Sequence, residues 1–243
     1  MQAVVRSELP LALAIYLNQN QTNLVQRLAE NQDNVEVNWR NVSRTSQFSE
    51  IRTQLNAMAG FRKRCMYCVD SDGSDIEHFR PKSVYKDHVF VWANLLLCCA
   101  PCGRFKGKQF PLDKANQPLL IDPSLDDPWK HMDFDTETGN LDARYDLETS
   151  AYSVRGLETV RILKLNAREH LSNGYKTTYK RLTKIVNELS GTEGLIQKLI
   201  QADDHGLLGW CFSPTGMKEA PFNLLTQAHM QEWKQHRNNL HLP

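Results

Sequence analysis

Apolar residues in the first 60 positions recur at the spacing of one helix face. Leu9, Leu11, Leu13, Ile15 and Leu17 form an apolar run, and Leu24 and Leu28, then Ile51, Leu55 and Met58, step by three and four. Gly60 follows as a helix stop. The run at 9–17 comes after Glu8, without a cationic leader or a small-residue cleavage site, and reads as a buried helix rather than a signal peptide. Residues 61–114 change character. They are short and irregular, with cysteine pairs, glycines, prolines and a β-rich run, His88-Val89-Phe90-Val91-Trp92. At 115–150 the turn signals Asp122-Pro123, Asp127-Pro128 and Thr138-Gly139-Asn140 predict loops and a short hairpin. Helical spacing returns from Gly156, with Leu157, Val160, Leu163 and Leu165. A longer basic helix follows, with Tyr175, Tyr179, Leu182, Ile185, Val186 and Leu189 on one side and Lys176, Lys180, Arg181 and Lys184 between them. Gly191 and Gly194 break it, residues 195–200 start another helix, and the tail from Phe222 to Leu240 holds one more.

The expected fold is α+β: mostly helical, with a small metal-organised module. Residues 1–60 form a helical scaffold, 61–114 the module, and 115–243 a loop-rich and helical region packed with the rest as one unit. A chain of 243 residues is long enough to bury a substantial core. No apolar stretch approaches the roughly 20 residues of a membrane span, which leads to the expectation of a cytoplasmic protein. The net charge of +1 excludes a polycation that coats nucleic acid indiscriminately. The charge is uneven, however. Residues 61–114 carry ten Lys or Arg against six Asp or Glu, and residues 122–148 carry nine acidic against two basic.

Five of the six cysteines fall between positions 65 and 102. Cys65-Met66-Tyr67-Cys68 and Cys99-Ala100-Pro101-Cys102 are two C-x-x-C pairs, and two intervening residues let both thiolates reach one tetrahedral ion from a tight turn. The four thiolates predict a closed, structural zinc site, with Arg62, Lys63, Arg64 and Arg104 near enough in sequence to offset its negative charge. Cys98 is an adjacent spare, and Cys211 reads as a core residue.

Between the pairs lie Asp75-Ile76-Glu77-His78-Phe79-Arg80-Pro81-Lys82 and Trp92-Ala93-Asn94-Leu95-Leu96-Leu97, and after them Gly103-Arg104-Phe105-Lys106-Gly107. This ordered set resembles the HNH endonuclease family, whose zinc-bound ββα-metal module it would form. The resemblance implies hydrolysis of nucleic-acid phosphodiesters, DNA or RNA. His78 would be the general base, Glu77 a ligand to a catalytic Mg or Mn ion, and Asn94 the residue that orients the base or pins the loop. Arg80, Lys82, Arg104 and Lys106 would meet phosphates. One departure stands out. Where the family places an Asn or His after the last cysteine as second ligand to the catalytic ion, this chain has Gly103, which leaves Asp75, His88 and Asp113 as substitutes in sequence.

The resemblance extends to the PtuB branch of HNH nucleases. It runs through Ile76 to Ser83 and Trp92 to Leu96, through Leu119-Leu120-Ile121-Asp122-Pro123 with Asp127-Pro128, and through Thr159-Val160-Arg161-Ile162-Leu163-Lys164-Leu165-Asn166-Ala167-Arg168 with Leu171. It implies the nuclease half of a Septu anti-phage system, held by a PtuA-like ABC ATPase and, where a retron is attached, by its reverse transcriptase and msDNA. The chain has no G-x-x-x-x-G-K-[ST] loop of its own, in keeping with ATP handling elsewhere. Two other readings compete: a zinc-organised binding subunit with a decayed nuclease site, and a stand-alone HNH enzyme acting on DNA.

Overall fold

The computed structural model describes residues 1–31, 34–189 and 193–239. It divides into two compact units, one formed by Arg6–Met66 with Ser71–Phe110, the other by Met1–Val5, Tyr67–Asp70 and the described residues from Pro111 on. The fold is α+β, with helices dominant and three two-stranded antiparallel sheets among the described residues.

In the unit holding residues 71–110, helices α1 (Leu11–Ala29), α2 (Val35–Val42) and α3 (Ser46–Met58) come first. Side-chain caps start two of them: Asn34 accepts from the amides of Glu36 and Val37, and Thr45 from that of Phe48. Gly60, at φ +77°, follows α3 in the left-handed region that glycine enters without strain. α1 buries Leu13, Leu17 and Leu24 but exposes Leu11 and Ile15. The apolar run at 9–17 is therefore one stripe of an amphipathic helix rather than a helix buried all round. Phe48, Ile51 and Leu55 of α3 are sealed from solvent.

Strands β1 (Asp75–His78) and β2 (Leu95–Cys98) pair antiparallel, with Glu77 opposite Leu96 and His78 opposite Leu95. Helix α4 (Ala100–Lys106) follows directly and packs against β1. Every residue of β2 is buried, so its hydrophobic run needs cover on both faces. The run at 88–92, β-rich in sequence, is not a strand. Lys86–His88 and Trp92–Asn94 are 3-10 turns. Among the described residues no ladder partner lies beside the run, and side chains take several of its backbone groups: Phe90 N donates to Gln21 Oε1 at 2.7 Å and His88 O accepts from Asn94 Nδ2, while Val89 and Phe90 fill the core.

In the other unit, β3 (Met132–Phe134) and β4 (Leu141–Ala143) form the expected hairpin, with Gly139 at φ +81° in its turn, and β5 (Tyr145–Asp146) pairs with β6 (Ala151–Tyr152). Ser153 caps α5 (Val154–Leu163), and the left-handed Lys164 ends it. α6 (Glu169–Leu189) buries Leu171, Tyr175, Leu182 and Val186 and exposes Lys180, Arg181 and Lys184, the amphipathic pattern read from the sequence. α7 (Leu195–Ala202), α8 (Leu208–Cys211) and α9 (Gln227–Asn239) complete the unit. Gly194 caps α7, whereas Gly191 and Leu240 lie outside the described residues. Cys211 is fully buried, as a core residue should be. No described helix is long and apolar enough to cross a membrane.

Candidate functional site

The sulfurs of Cys65, Cys68, Cys99 and Cys102 all lie within 4.8 Å of one another, and all four side chains are buried. A tetrahedral zinc with Zn–S near 2.3 Å has S–S edges of about 3.8 Å, which lies within the spacing of this cluster. Local backbone explains the convergence. Cys65 N bonds to Ser71 O at 2.9 Å, and an antiparallel bridge between Arg64 and Asp72 closes the turn that carries the first pair. Cys99 is the N-cap of α4 and Cys102 stands in its first turn, so both present their sulfurs at the same helix end. Four thiolates fill the shell and leave no open position, which suits a structural metal and not a catalytic one. Cys98 is not one of the four, although its side chain contacts those of Cys65, Cys99 and Cys102, and its thiol donates to Cys99 O at 3.3 Å.

Adjacent residues of β1 leave the strand on opposite faces, and this separates Glu77 from His78. Glu77 turns toward α4. Its Oε1 lies 3.0 Å from the ammonium of Lys106, and a Cβ placed on Gly103 would stand 3.2 Å from its Oε2. Lys106 has no exposed surface, and its Nζ also donates to the backbone oxygen of His78 at 2.6 Å. Expected at a phosphate, Lys106 is instead an internal cation. Burial lowers its pKa, and the Glu77 carboxylate opposes that shift.

These residues do not by themselves fit a divalent ion. The one carboxylate already has a counter-charge, and position 103 offers no donor. The sequence candidates for a second ligand are engaged locally. Asp113 accepts from the amides of Ala115 and Gln117, Asp75 from Ser74, and Asp87 pairs with His88 at 2.9 Å. Among the described residues the four cysteines are the one cluster with metal-ligand geometry.

His78 turns the other way. Its ring packs edge-on against Trp39, 4.3 Å between centroids, and its Nε2 lies 2.9 Å from the backbone oxygen of Val89. A carbonyl can only accept, so Nε2 carries the proton and Nδ1 keeps its lone pair. Nδ1 has no bond within the described residues, and the side chain is buried, with 4% of its surface exposed. Burial pushes the His78 pKa down to about 3, against the raising effect of the Val89 bond, and the ring is neutral at physiological pH.

Asn94 is buried at the end of the same loop. Its Oδ1 accepts from Arg80 N at 2.7 Å, and its Nδ2 donates to Arg80 O at 3.1 Å and to His88 O at 2.8 Å. One amide thus ties both ends of the excursion that supplies the Val89 carbonyl. Of the expected phosphate contacts, Arg104 is exposed, Arg80 holds its guanidinium 5.4 Å from the rings of both Tyr85 and Phe110, and Lys82 is paired with Glu36 at 3.0 Å. Sequence reasoning missed Trp39 and the Val89 carbonyl. A backbone acceptor leaves no trace in residue type, and Trp39 sits on a helix distant in sequence from the motif.

No family model matches the chain. The chain is similar to the Septu protein PtuB of Bacillus thuringiensis, 29% identical over 113 residues, which are 44% of this chain and 38% of that protein. It is also similar to the Septu protein PtuB of Bacillus mycoides (strain KBAB4), 28% identical over 177 residues, 60% of this chain and 58% of the relative. The match thus spans less than two thirds of either relative's length. Both relatives carry the same name, so the likeness is to the PtuB branch of Septu proteins.

Proposed function

We propose that the chain is a PtuB-type component of a Septu anti-phage defence system and that it hydrolyses nucleic-acid phosphodiester bonds, with β1, β2 and α4 as a zinc-stapled HNH-type ββα module. The sequence likeness supports the Septu role. The bond from His78 Nε2 to Val89 O carries the nuclease reading, because it leaves Nδ1 as a fixed, neutral proton acceptor on a ring that feels the charge of Lys82 and Lys106. In the reaction Nδ1 takes a proton from water as the water oxygen bonds to phosphorus. The P–O bond to the departing sugar oxygen breaks, and that oxygen is protonated from solvent. A phosphate next to the ring raises the His78 pKa, so the imidazole becomes a better base when substrate is present.

Asn94 positions the carbonyl that positions His78. Arg80, Lys82 and Arg104 supply charge for phosphate, and the zinc, bound by Cys65, Cys68, Cys99 and Cys102, keeps α4 in place behind β1. A catalytic Mg or Mn ion, the expected companion of Glu77, would add charge neutralisation at the phosphate, but the residues around Glu77 do not hold one unaided. The proposed partners are a PtuA-like ABC ATPase, the nucleic-acid substrate and, in a retron context, a reverse transcriptase with its msDNA.

The Glu77–Lys106 pair and Gly103 favour one second reading: a zinc-organised binding subunit whose nuclease site has decayed. Replacing His78 by Asn in the intact defence system separates the two. Loss of phage protection and of nucleic-acid cleavage, with the complex still assembled, supports the nuclease. Full protection by the variant overturns it.

A further inference from the structure

The buried ammonium of Lys106 has no role in the hydrolysis as derived above, and burying it carries a cost that must be met by its partners. It has two: the Glu77 carboxylate at 3.0 Å and the His78 carbonyl at 2.6 Å. Together they fix the C-terminal end of α4 to the strand that presents both Glu77 and His78. The carboxylate is only partly withdrawn from solvent, its side chain 21% exposed, so an ion arriving from outside would meet it. What it would meet is a carboxylate already neutralised from the protein side, across from a glycine. A Cβ at Gly103 would stand 3.2 Å from Oε2 and 3.8 Å from Cys98 Sγ, and the glycine offers no ligand atom there.

Resting on the nuclease reading, and deepening it, we propose that Lys106 is the resident counter-charge of Glu77, a positioning residue that stands where a divalent ion would otherwise neutralise that carboxylate, so that the substrate-free chain holds no such ion there. A hard divalent cation needs about six oxygen ligands, of which this corner supplies at most one carboxylate shared with an ammonium. Repulsion between Nζ and an ion at Oε1 weakens even that ligand. Removing the ammonium while keeping the side-chain volume, as in Lys106→Met, leaves the carboxylate unpaired and raises its affinity for a divalent ion.

The test is a titration with manganese chloride alone, followed by electron paramagnetic resonance, on the zinc-loaded full-length chain and its Glu77→Gln, Lys106→Met and doubly substituted forms. The wild type is expected to bind Mn2+ no more tightly than Glu77→Gln, with dissociation constants at or above about a millimolar. Lys106→Met is expected to bind at least about tenfold more tightly, and the double variant to lose that gain. Micromolar binding by the wild type that Glu77→Gln abolishes overturns the proposal, and so does a folded, zinc-retaining Lys106→Met with unchanged affinity. The comparison of wild type with Glu77→Gln decides the matter even if Lys106→Met fails to fold, since Glu77 is half-buried and its amide is isosteric. None of these readouts involves cleavage. An inactive protein with the expected Mn2+ pattern would sink the nuclease reading alone, whereas an active one with tight Mn2+ binding would sink only this one.

Discussion

His78 Nε2 lies 2.9 Å from the carbonyl oxygen of Val89, eleven residues along the chain. That bond sets the tautomer of a buried imidazole, and it turns a pattern of letters into a statement about which nitrogen can accept a proton.

The burial of His78 has a signed consequence for stability. Its pKa is near 6.5 when unfolded and about 3 in the folded chain. The neutral ring's contribution is therefore complete above pH ~6.5 and is lost as pH falls from there toward 3, at a rate of at most about 1.4 kcal/mol per pH unit. Denaturant unfolding of the wild type and of His78→Asn between pH 4 and 8 should show a gap that is widest at neutral pH and narrows on acidification. A gap independent of pH would mean the histidine is hydrated, not buried.

If His78 is the base, its substitution by Asn should lower the rate of phosphodiester cleavage by about 10²-fold or more, with little change in substrate binding. Single-turnover cleavage of labelled DNA and RNA in the presence of the partner ATPase measures this. The acid limb of the wild-type pH–rate profile should fall below pH 6.5.

Zinc removal should undo the knuckle. The purified chain is expected to carry about one zinc, and Cys99→Ala or prolonged chelation should release it and lower the melting temperature by about 20 °C or more, given roughly 10 kcal/mol from such a site and about 2–4 °C per kcal/mol for a chain of this size. Metal analysis paired with calorimetry decides this. Cys98→Ala, by contrast, should leave zinc content unchanged.

Asn94 makes three hydrogen bonds to loop backbone from a buried position. Its replacement by Ala strands those groups and should cost about 2–4 kcal/mol, with faster proteolysis between residues 80 and 93. Urea denaturation and limited proteolysis report the two effects. Unaltered stability would show that the amide is not the clasp.

The legible and illegible parts of this molecule differ in kind. Thiol spacing announced the metal cluster because C-x-x-C geometry is local, and period-3.6 spacing announced α3 and α6 because each buries one stripe. The Thr138-Gly139-Asn140 signal marked a real hairpin. Residues 88–92 misled, since a β-rich composition says nothing about whether a partner strand is at hand, and here side chains took the backbone groups instead. The pairing of Glu77 with Lys106 was beyond reach for a different reason. Position 106 reads as one more basic residue near phosphate, and only packing shows that its ammonium is turned inward. The separation of Glu77 and His78 was implicit in the sequence all along, because neighbours on a strand must diverge, but the motif presents them as a couple.

The Asn94 amide grips Arg80 on one side and His88 on the other, so the seven residues between them form an excursion closed at its neck. Chain inserted near exposed Ser83 or Val84 adds length outside that closure, where no strain is passed to the imidazole. The tip of this loop is therefore the place where added length or a foreign epitope is expected to leave the imidazole behind it undisturbed.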